Sequence, residues 1–412
     1  MNRFLLLLGL QVTHALSDAP FNPDHWLLSF FVNSAVLFSA ASLRWRNQLD
    51  ETRLYDHFAP AARSVFVVCY GFAAFSKLNS DFLAMDSSCA CELAQLQVAA
   101  SPWLNSISVP SLAGWCAAIC ECAVALLLLA GRTRRFGIVI GVLFHTFLVI
   151  SPAIAVFDFS TTVYAMLFLF TSRETGDRIQ HTIDHVVQQT PSLMSLLQKL
   201  KATVTVTVAA FLLGRSLLGY TYGNPRLSRL IWLFNMVVAC VVIGFTFARL
   251  FGRSAPTSNH VAFRPTLRIQ TLVVLLAIMN GVCPYLGLKT QGSFTMFSNL
   301  RTEAGHWNHL VVPPRFRVFD HYQDNLWHVA QVDDYRLRAD FVEKDCLVPR
   351  FEIQRAIAQN PDLSITVIKS GQPVTLSPAA ADPDLGRPTN WLTRKIMIFR
   401  PVTPDGSPYC GN

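Results

Sequence analysis

The stretch "GWCAAICECAVALLLLAGRTRRFGIVIGVLFHTFLVI", residues 114–150, contains two apolar runs joined by a short basic turn. Each run approaches the roughly 20 residues that an α-helix needs to cross a bilayer. One carboxylate, Glu121, and one imidazole, His145, interrupt the two runs. The stretch therefore predicts a pair of membrane-spanning helices that carry ionisable side chains.

The composition of the whole chain indicates the same class of protein. Of its 412 residues, 52% are hydrophobic and only 15% are charged, whereas a soluble domain has about a quarter of its residues charged. The net charge of +8 does not indicate nucleic-acid binding, because the basic residues lie in short loops without a basic stripe or an aromatic platform. We expect a lipid bilayer as the partner of this chain and no nucleic acid.

Apolar runs continue along most of the chain and predict an all-α multi-pass membrane bundle of about eight or nine spans over residues 20–288. Two runs are short, and the one at 64–78 would need Arg63 and Lys77 to snorkel to the membrane surface. Residues 1–19 are either a cleaved signal peptide or a first anchor helix. The predicted spans are at 26–43, 64–78, 109–131, 136–156, 159–172, 203–222, 230–251 and 269–287.

Residues 289–412 differ from the bundle, because apolar and polar residues alternate there in short runs typical of strands. Such runs occupy 315–322, 325–332, 363–369 and 394–402, and helical spacing occupies 348–360. We expect a small α+β domain.

Lys and Arg residues are concentrated in alternate loops, and this asymmetry predicts the orientation of the bundle in the membrane. Alternate loops carry fifteen basic residues against two in the remaining loops, and cytoplasmic loops are the basic ones. The bias places Lys77 and the domain at 289–412 on the non-cytoplasmic side of a cell membrane or an endomembrane. Disulfides persist on that side, and we predict a bond between Cys346 and Cys410, with Cys89 and Cys91 as the other cysteines in that compartment.

Lys77 ends the second predicted span in "GFAAFSKLNSDFLAMDSSCACE", residues 71–92. Tyr70, Ala73 and Ala74 lie on the same helical face, so an aromatic hydroxyl and room for a ligand ring are adjacent to the amine. Lys77 either anchors the helix at the membrane surface or, because burial disfavours the ammonium form, acts as a neutral amine and general base.

Three further ionisable residues lie within predicted spans, where charge is costly and marks a site or a buried pair. Glu121 and His145 share their helical faces with small residues and should face the bundle interior, where they bind a substrate or bond each other. Arg215 either pairs with Glu121 or Asp158 or holds an anionic group. We predict no metal site, because the paired histidines in "HTIDH" and "GHWNH" lack an evident third ligand.

The chain resembles the horizontally transferred transmembrane (HTTM) domain family, which is related to vitamin K-dependent gamma-glutamyl carboxylase. The resemblance is carried by "YGFAAFSKLNSDFLAMDSSCA", "GVLFHTFLVISPAIAVFDFS" and "MNGVCPYLGLKTQGSFTMFSNLRTEAGHWNHL". It implies that Lys77 is the base that deprotonates vitamin K hydroquinone or another quinol, and that His145 is a motif histidine of the bundle.

The match differs from the carboxylase in two respects. Ser76 precedes Lys77 where the carboxylase has two adjacent lysines, and the long outer region that grips a tagged protein substrate has no counterpart. We therefore expect a lipophilic small molecule, not a protein, as the substrate. The competing hypotheses are a non-catalytic membrane scaffold or lipid-binding module and, with less support, a transporter.

Overall fold

The computed structural model describes most of the chain outside residues 190–261. The described ranges are 1–100, 112–149, 156–171, 262–303, 305–319, 325–334, 337–343, 345–369, 371–387 and 389–403, together with Cys410 and scattered positions between 176 and 189. These residues are mainly helical, with a small antiparallel sheet. The spans predicted at 203–222 and 230–251 lie outside the described residues.

The helical part supports a membrane-embedded protein. Three of its helices, α2, α3 and α9, are long and apolar enough to cross a bilayer, and α6 is a shorter apolar helix. The total of eight or nine spans stays a prediction. In chain order the helices are α1 Asn2–Asp18, α2 Asp24–Trp45, α3 Glu51–Ser76, α4 Ser80–Leu83, α5 Cys89–Ala100, α6 Ala113–Leu129, α7 Arg134–Val149, α8 Phe157–Phe168 and α9 Arg268–Leu286.

The start of α3 differs from its prediction. The helix begins well before residue 64, because the side chain of Asp50 accepts a hydrogen bond from the backbone N–H of Arg53 at 2.8 Å and caps it. The snorkelling predicted for Arg63 is wrong, because Arg63 is 5% exposed. Its guanidinium donates to the carbonyl oxygens of Leu169 at 2.6 Å and Ala262 at 3.0 Å, so its charge is satisfied inside the bundle.

The bundle core forms where α2, α3, α6, α7, α8 and α9 meet. Aromatic and aliphatic side chains fill it, among them Phe66, Leu128, Tyr164 and Phe170. A Cβ added to Gly281 of α9 would collide with the ring of Phe72 on α3, so these two helices approach as closely as a glycine allows. The core therefore depends on small residues as well as on large apolar ones.

The C-terminal domain contains β1 Leu326–Val332, β2 Leu347–Pro349, α10 Arg350–Gln359, β3 Ile365–Lys369, β4 Gln372–Leu376 and α11 Trp391–Ile396. The strand order is β2-β1-β3-β4, and all neighbours are antiparallel. The strands predicted at 325–332 and 363–369 and the helix predicted at 348–360 are confirmed. Side chains such as Val332, Ile353 and Ile365 form a separate core beneath the sheet.

The other two predicted strands do not form over their described residues, 315–319 and 394–402, apart from a single bridge between Val402 and Leu347. Residues 315–322 start within a short 3₁₀ turn, Pro314–Phe316, because a proline at its first position favours a turn over a strand. Residues 394–402 start within α11, whose first turn is capped where Asn390 Oδ1 accepts the N–H of Leu392 at 2.8 Å. An analysis of alternating hydrophobicity alone does not detect the proline that favours the turn or the asparagine that caps α11.

The junction segment, residues 289–309, joins α9 to the C-terminal domain and buries many polar side chains. The backbone N–H of Phe294 donates to Asp24 Oδ1 at 2.7 Å, at the start of α2. Asn79 Nδ2, just after α3, donates to the carbonyl oxygen of Ser298 at 2.6 Å. These bonds fix the segment across the bundle end at which α3 and α9 finish.

Candidate functional site

Lys77 lies directly after α3 and is buried. Lys77 is 3% exposed, so its side chain does not extend to the membrane surface, which was one of the two predicted alternatives. The ammonium donates to the carbonyl oxygens of Ala73 at 3.3 Å and Met296 at 3.2 Å. The ring of Phe82 lies 5.6 Å from Nζ and adds a cation–π contact.

Glu121 of α6 is the charged partner of Lys77. Its Oε2 lies 2.8 Å from Lys77 Nζ, with the two side chains 12% and 4% exposed respectively. Gly114, at the start of the same helix, packs closely against the segment that follows Lys77, because a Cβ there would collide with the carbonyl oxygen of Phe82. Small residues on the face of Glu121 predicted its inward orientation, which the structure confirms, but they did not predict this partner.

A cavity of about 500 Å³ lies beside the ion pair. Its walls are mainly apolar and come from α5, α6, α7, α8 and the junction segment, with Leu93, Phe144 and Phe159 among them. Leu112 and Phe147 also line it and are exposed, so the cavity reaches the surface of the described part of the chain. The cavity is within the size range of small-molecule sites, about 300–1,000 Å³.

The junction segment supplies one wall of this site with an unusual backbone. Phe294 and Phe297 have positive φ angles, 59° and 49°, which aromatic residues seldom adopt. Between them, Met296 directs its carbonyl oxygen at Lys77 and, with Phe297, lines the cavity. Strained backbone of this kind concentrates at functional sites.

Tyr70 and His145 form a second polar group, which does not line the cavity. The Tyr70 hydroxyl is hydrogen-bonded to His145 Nε2, and His145 Nδ1 lies 3.0 Å from Ser160 Oγ. Ser160 Oγ donates to the carbonyl oxygen of Val156 at 3.1 Å, so it accepts from Nδ1–H, and Nε2 accepts from Tyr70. This assigns a neutral imidazole whose two nitrogens both have partners.

The two polar groups are separated by a cavity wall. The ring of Phe159 packs edge-on against His145 at a centroid distance of 5.1 Å, and Phe159 itself lines the cavity. The direct bond predicted as one alternative for Glu121 and His145 is wrong, because Glu121 pairs with Lys77. Asp158 pairs with His25 at 2.9 Å, and Arg215 lies outside the described residues.

The predicted disulfide is also wrong. Cys410 is bonded to Cys89, with 5.3 Å between their Cα atoms, and so it is not bonded to Cys346. Cys346 is fully buried beside the sheet. The bond attaches the C-terminal tail to the first turn of α5, the helix whose Leu93 and Gln97 line the cavity. Spacing along the chain could not reveal a contact between residues 321 positions apart.

Sequence reasoning missed several residues of the site, of which Gln97 has the clearest role. It is 1% exposed and lines the cavity, and its amide donates to the carbonyl oxygens of Phe147 at 3.2 Å and Leu148 at 3.0 Å. Gln97 joins α5 to α7 across the cavity. Its polarity within an apolar stretch was the available signal.

Burial also shifts titration just outside the spans. It raises the pKa of Glu303, although backbone N–H groups and two arginines oppose the shift, and it lowers the pKa of Lys289. Lys289 Nζ donates to the carbonyl oxygen of Gly292 at 2.7 Å. Among the described residues, no group of three or more His, Cys, Asp or Glu side chains is placed to hold a metal ion.

Comparisons with protein-family models, with curated proteins and with solved structures gave no match.

Proposed function

We propose that the protein is a multi-pass membrane enzyme, related to the HTTM and vitamin K-dependent carboxylase family, that uses Lys77 as a general base on a lipophilic, quinol-like substrate. The observation that carries this proposal is the Lys77–Glu121 ion pair at the wall of an apolar cavity. Ionisable groups within a membrane bundle are costly and mark functional sites by default.

Lys77 can act as a base only after it loses a proton, and Glu121 is placed to take that proton. Transfer from Nζ to Oε2 across 2.8 Å leaves a neutral amine and a neutral carboxylic acid in the same wall. The amine then accepts the proton of a substrate hydroxyl and becomes an ammonium again. The substrate oxyanion formed next to that ammonium is stabilised by its charge.

The cavity fits a hydroxylated ring with an apolar body. Its aromatic walls, with Phe144 and Phe159, match a ring system, while Lys77 and Glu121 provide a single charged end. A bound quinol, vitamin K hydroquinone among the candidates, would supply the ionisable hydroxyl and the electrons for a reaction with oxygen. His145 packs against Phe159 and is itself hydrogen-bonded to Tyr70, so both act as positioning residues. A role for Arg215 on an anionic group stays part of the proposal.

The test mixes the purified full chain with reduced menaquinone, ubiquinone or vitamin K and follows oxygen consumption. We expect consumption with at least one quinol and a fall of about 100-fold or more with Lys77→Met, since a positioned base contributes about 10²–10⁴-fold. Lys289→Met is the matched control, because it removes another buried lysine that does not line the cavity. Equal rates in the wild type and Lys77→Met would refute the proposal.

A second candidate function, a non-catalytic scaffold or lipid-binding module, is favoured by the contacts of Lys77 with three parts of the bundle. Lys77 Nζ donates to the carbonyl oxygens of Ala73 and Met296, and it forms an ion pair with the carboxylate of Glu121 at 2.8 Å. These contacts join the end of α3 to α6 and to the junction segment, which is a structural role that needs no catalysis. This candidate predicts no oxygen consumption with any quinol, together with copurification of an apolar molecule that is lost when Ala94→Trp fills the cavity.

A further inference from the structure

The rim segment, residues 310–319 with the sequence "LVVPPRFRVF", is apolar and yet exposed. Leu310 is 63% exposed, Val311 60%, Phe316 54% and Val318 67%. Contiguous exposed apolar residues of this kind mark an interaction surface. A surface facing water would not retain them.

Hydrogen bonds attach both ends of the rim segment to the ends of the spanning helices, so the segment lies at the same depth as those ends. The backbone N–H of Leu310 donates to the carbonyl oxygen of Leu78, just after α3, at 2.9 Å. The N–H groups of Val318 and Phe319 donate to the carbonyl oxygen of Leu286, the last residue of α9, at 3.2 and 3.0 Å. The segment therefore runs across the bundle where α3 and α9 finish.

The length of α9 shows where the rim segment would lie relative to the membrane. At a rise of about 1.5 Å per residue, its 19 residues span about 28 Å, close to the roughly 30 Å of a bilayer's hydrocarbon core. Leu272, Leu275 and Met279 on its surface are about half exposed, as lipid-facing side chains are. The rim segment thus continues a lipid-facing surface at the depth where hydrocarbon gives way to headgroups.

The charges of the rim segment suit that depth. Arg315 is exposed and stacks over the ring of Phe316 at 5.9 Å, and Arg317 donates to the carbonyl oxygen of Thr302 at 3.3 Å. Arginine next to exposed aromatic side chains is typical of segments in the membrane interface, where the ring enters the apolar layer and the guanidinium meets phosphate.

Helix α11 repeats the pattern at another point of the same domain. Trp391 is 66% exposed, Leu392 55% and Ile396 54%, and Arg394 and Lys395 occupy its last turn. Lys395 Nζ donates to the carbonyl oxygen of Ser17, at the end of α1, at 2.8 Å. Tryptophan is enriched at the membrane–water boundary. The exposed side chains of α11 therefore suit the same membrane interface as those of the rim segment.

We infer that the rim segment and α11 rest in the phospholipid headgroup layer and attach the C-terminal domain to the bilayer surface. Their apolar side chains enter the acyl boundary, and Arg315, Arg394 and Lys395 meet lipid phosphates. The occupant of this exposed surface is thus the bilayer that the helices already cross. This contact is independent of any reaction at Lys77.

The experiment places a tryptophan reporter in the full chain, reconstituted in phosphatidylcholine nanodiscs with or without bromine on the acyl chains near the headgroup. The fluorescence of the tryptophan introduced by Phe316→Trp is the emission of the variant minus the emission of the wild type. We expect bromolipids to reduce this added signal by about twofold and aqueous iodide to leave it nearly unchanged, since the ring lies within about 10 Å of the acyl boundary. Native Trp391, isolated by subtracting Trp391→Phe, should behave in the same way.

Gln372→Trp is the control, because it adds an exposed tryptophan on β4 with polar neighbours. Bromolipid quenching of Phe316→Trp no stronger than that of Gln372→Trp would overturn the inference. Shielding of Phe316→Trp from both quenchers, together with cross-linking to another copy or protein, would also overturn it, since a protein would then cover the surface. Because Phe316 and Trp391 are exposed, neither substitution should prevent folding.

Discussion

Removal of one member of the Lys77–Glu121 pair leaves the other charge in an apolar wall. Breaking a buried ion pair on one side costs about 3–5 kcal/mol, mostly because the remaining charge is uncompensated. We expect Lys77→Met and Glu121→Leu each to lower the free energy of unfolding by about that amount. Thermal unfolding of the detergent-solubilised chain measures it.

The double variant Lys77→Met/Glu121→Leu is the control for this effect. It removes both charges, so its loss of stability should be clearly smaller than the sum of the two single losses. If the two losses simply add, then the 2.8 Å contact does not couple these residues.

His309 gives the rim segment a dependence on pH. Its Nδ1 accepts the backbone N–H groups of Val311 and Val312 at 3.2 and 3.0 Å, and its Nε2 donates to the carbonyl oxygen of Phe75 at 3.0 Å. Burial lowers the pKa of His309 below its usual value of 6.5, opposed by the bond to Phe75. The native state therefore binds the proton less readily than the unfolded state does.

The stability contributed by neutral His309 is complete above pH 6.5 and is lost as the pH falls through the lowered pKa. We expect amide exchange at Val311 and Val312, corrected for its intrinsic pH dependence, to accelerate as the pH falls below 6.5. His309→Gln should remove this additional pH dependence. An unchanged pH profile in His309→Gln would mean that another group controls these two amides.

At the residue scale, the sequence correctly predicted which side chains point into the bundle, but it did not predict which residues they contact. Small residues at helical spacing correctly indicated that Glu121 and His145 point into the bundle. The partner of each depends on how helices rotate and shift against one another, which spacing within one helix does not contain. Glu121 therefore pairs with Lys77, and His145 bonds Tyr70 and Ser160.

At the scale of elements, hydropathy located α2, α6 and α9 well because a bilayer requires long apolar helices. It placed the start of α3 too late, since a cap at Asp50 and interior acceptors for Arg63 allow a polar stretch to stay helical. In the C-terminal domain, alternation correctly indicated β1 and β3 but not the proline turn or the capped α11. Local hydrogen bonds decided these cases.

The packing of α9 on α3 makes a prediction about two glycines. A Cβ at Gly281 would collide with the ring of Phe72, whereas a Cβ at Gly71 would meet nothing within 4 Å. We expect Gly281→Ala to destabilise the bundle by about 1–3 kcal/mol, as overpacking does. Gly71→Ala should be neutral or stabilise it by up to about 1 kcal/mol, because alanine favours a helix.

Thermal unfolding of both glycine variants in the same detergent tests the prediction. The same substitution is made once in each of two packed helices, so helix propensity is matched and only the contact differs. Similar unfolding temperatures for Gly281→Ala and Gly71→Ala would show that α3 and α9 do not pack through this glycine.

For the molecule as a whole, two ends of the bundle differ in chemistry. Arg63 and Arg134 lie at one end, where each is within 6 Å of an aromatic ring, and Phe263 stacks with Arg134. Lys77, the junction segment and the Cys89–Cys410 bond lie at the other end. The loop charges predict that the end with Lys77 is the non-cytoplasmic one.

The Cys89–Cys410 bond provides a test of that orientation, because disulfides persist on the non-cytoplasmic side. In sealed vesicles with the cytoplasmic face outward, a membrane-impermeant reductant should leave the bond intact. In vesicles of the opposite orientation, or after permeabilisation, it should reduce the bond and free both thiols for alkylation, measured as a mass shift. Cys410→Ser is the control, since Cys89 is then alkylated without reductant. Reduction in sealed vesicles with the cytoplasmic face outward would place this end of the bundle, and the C-terminal domain attached to it, in the cytoplasm.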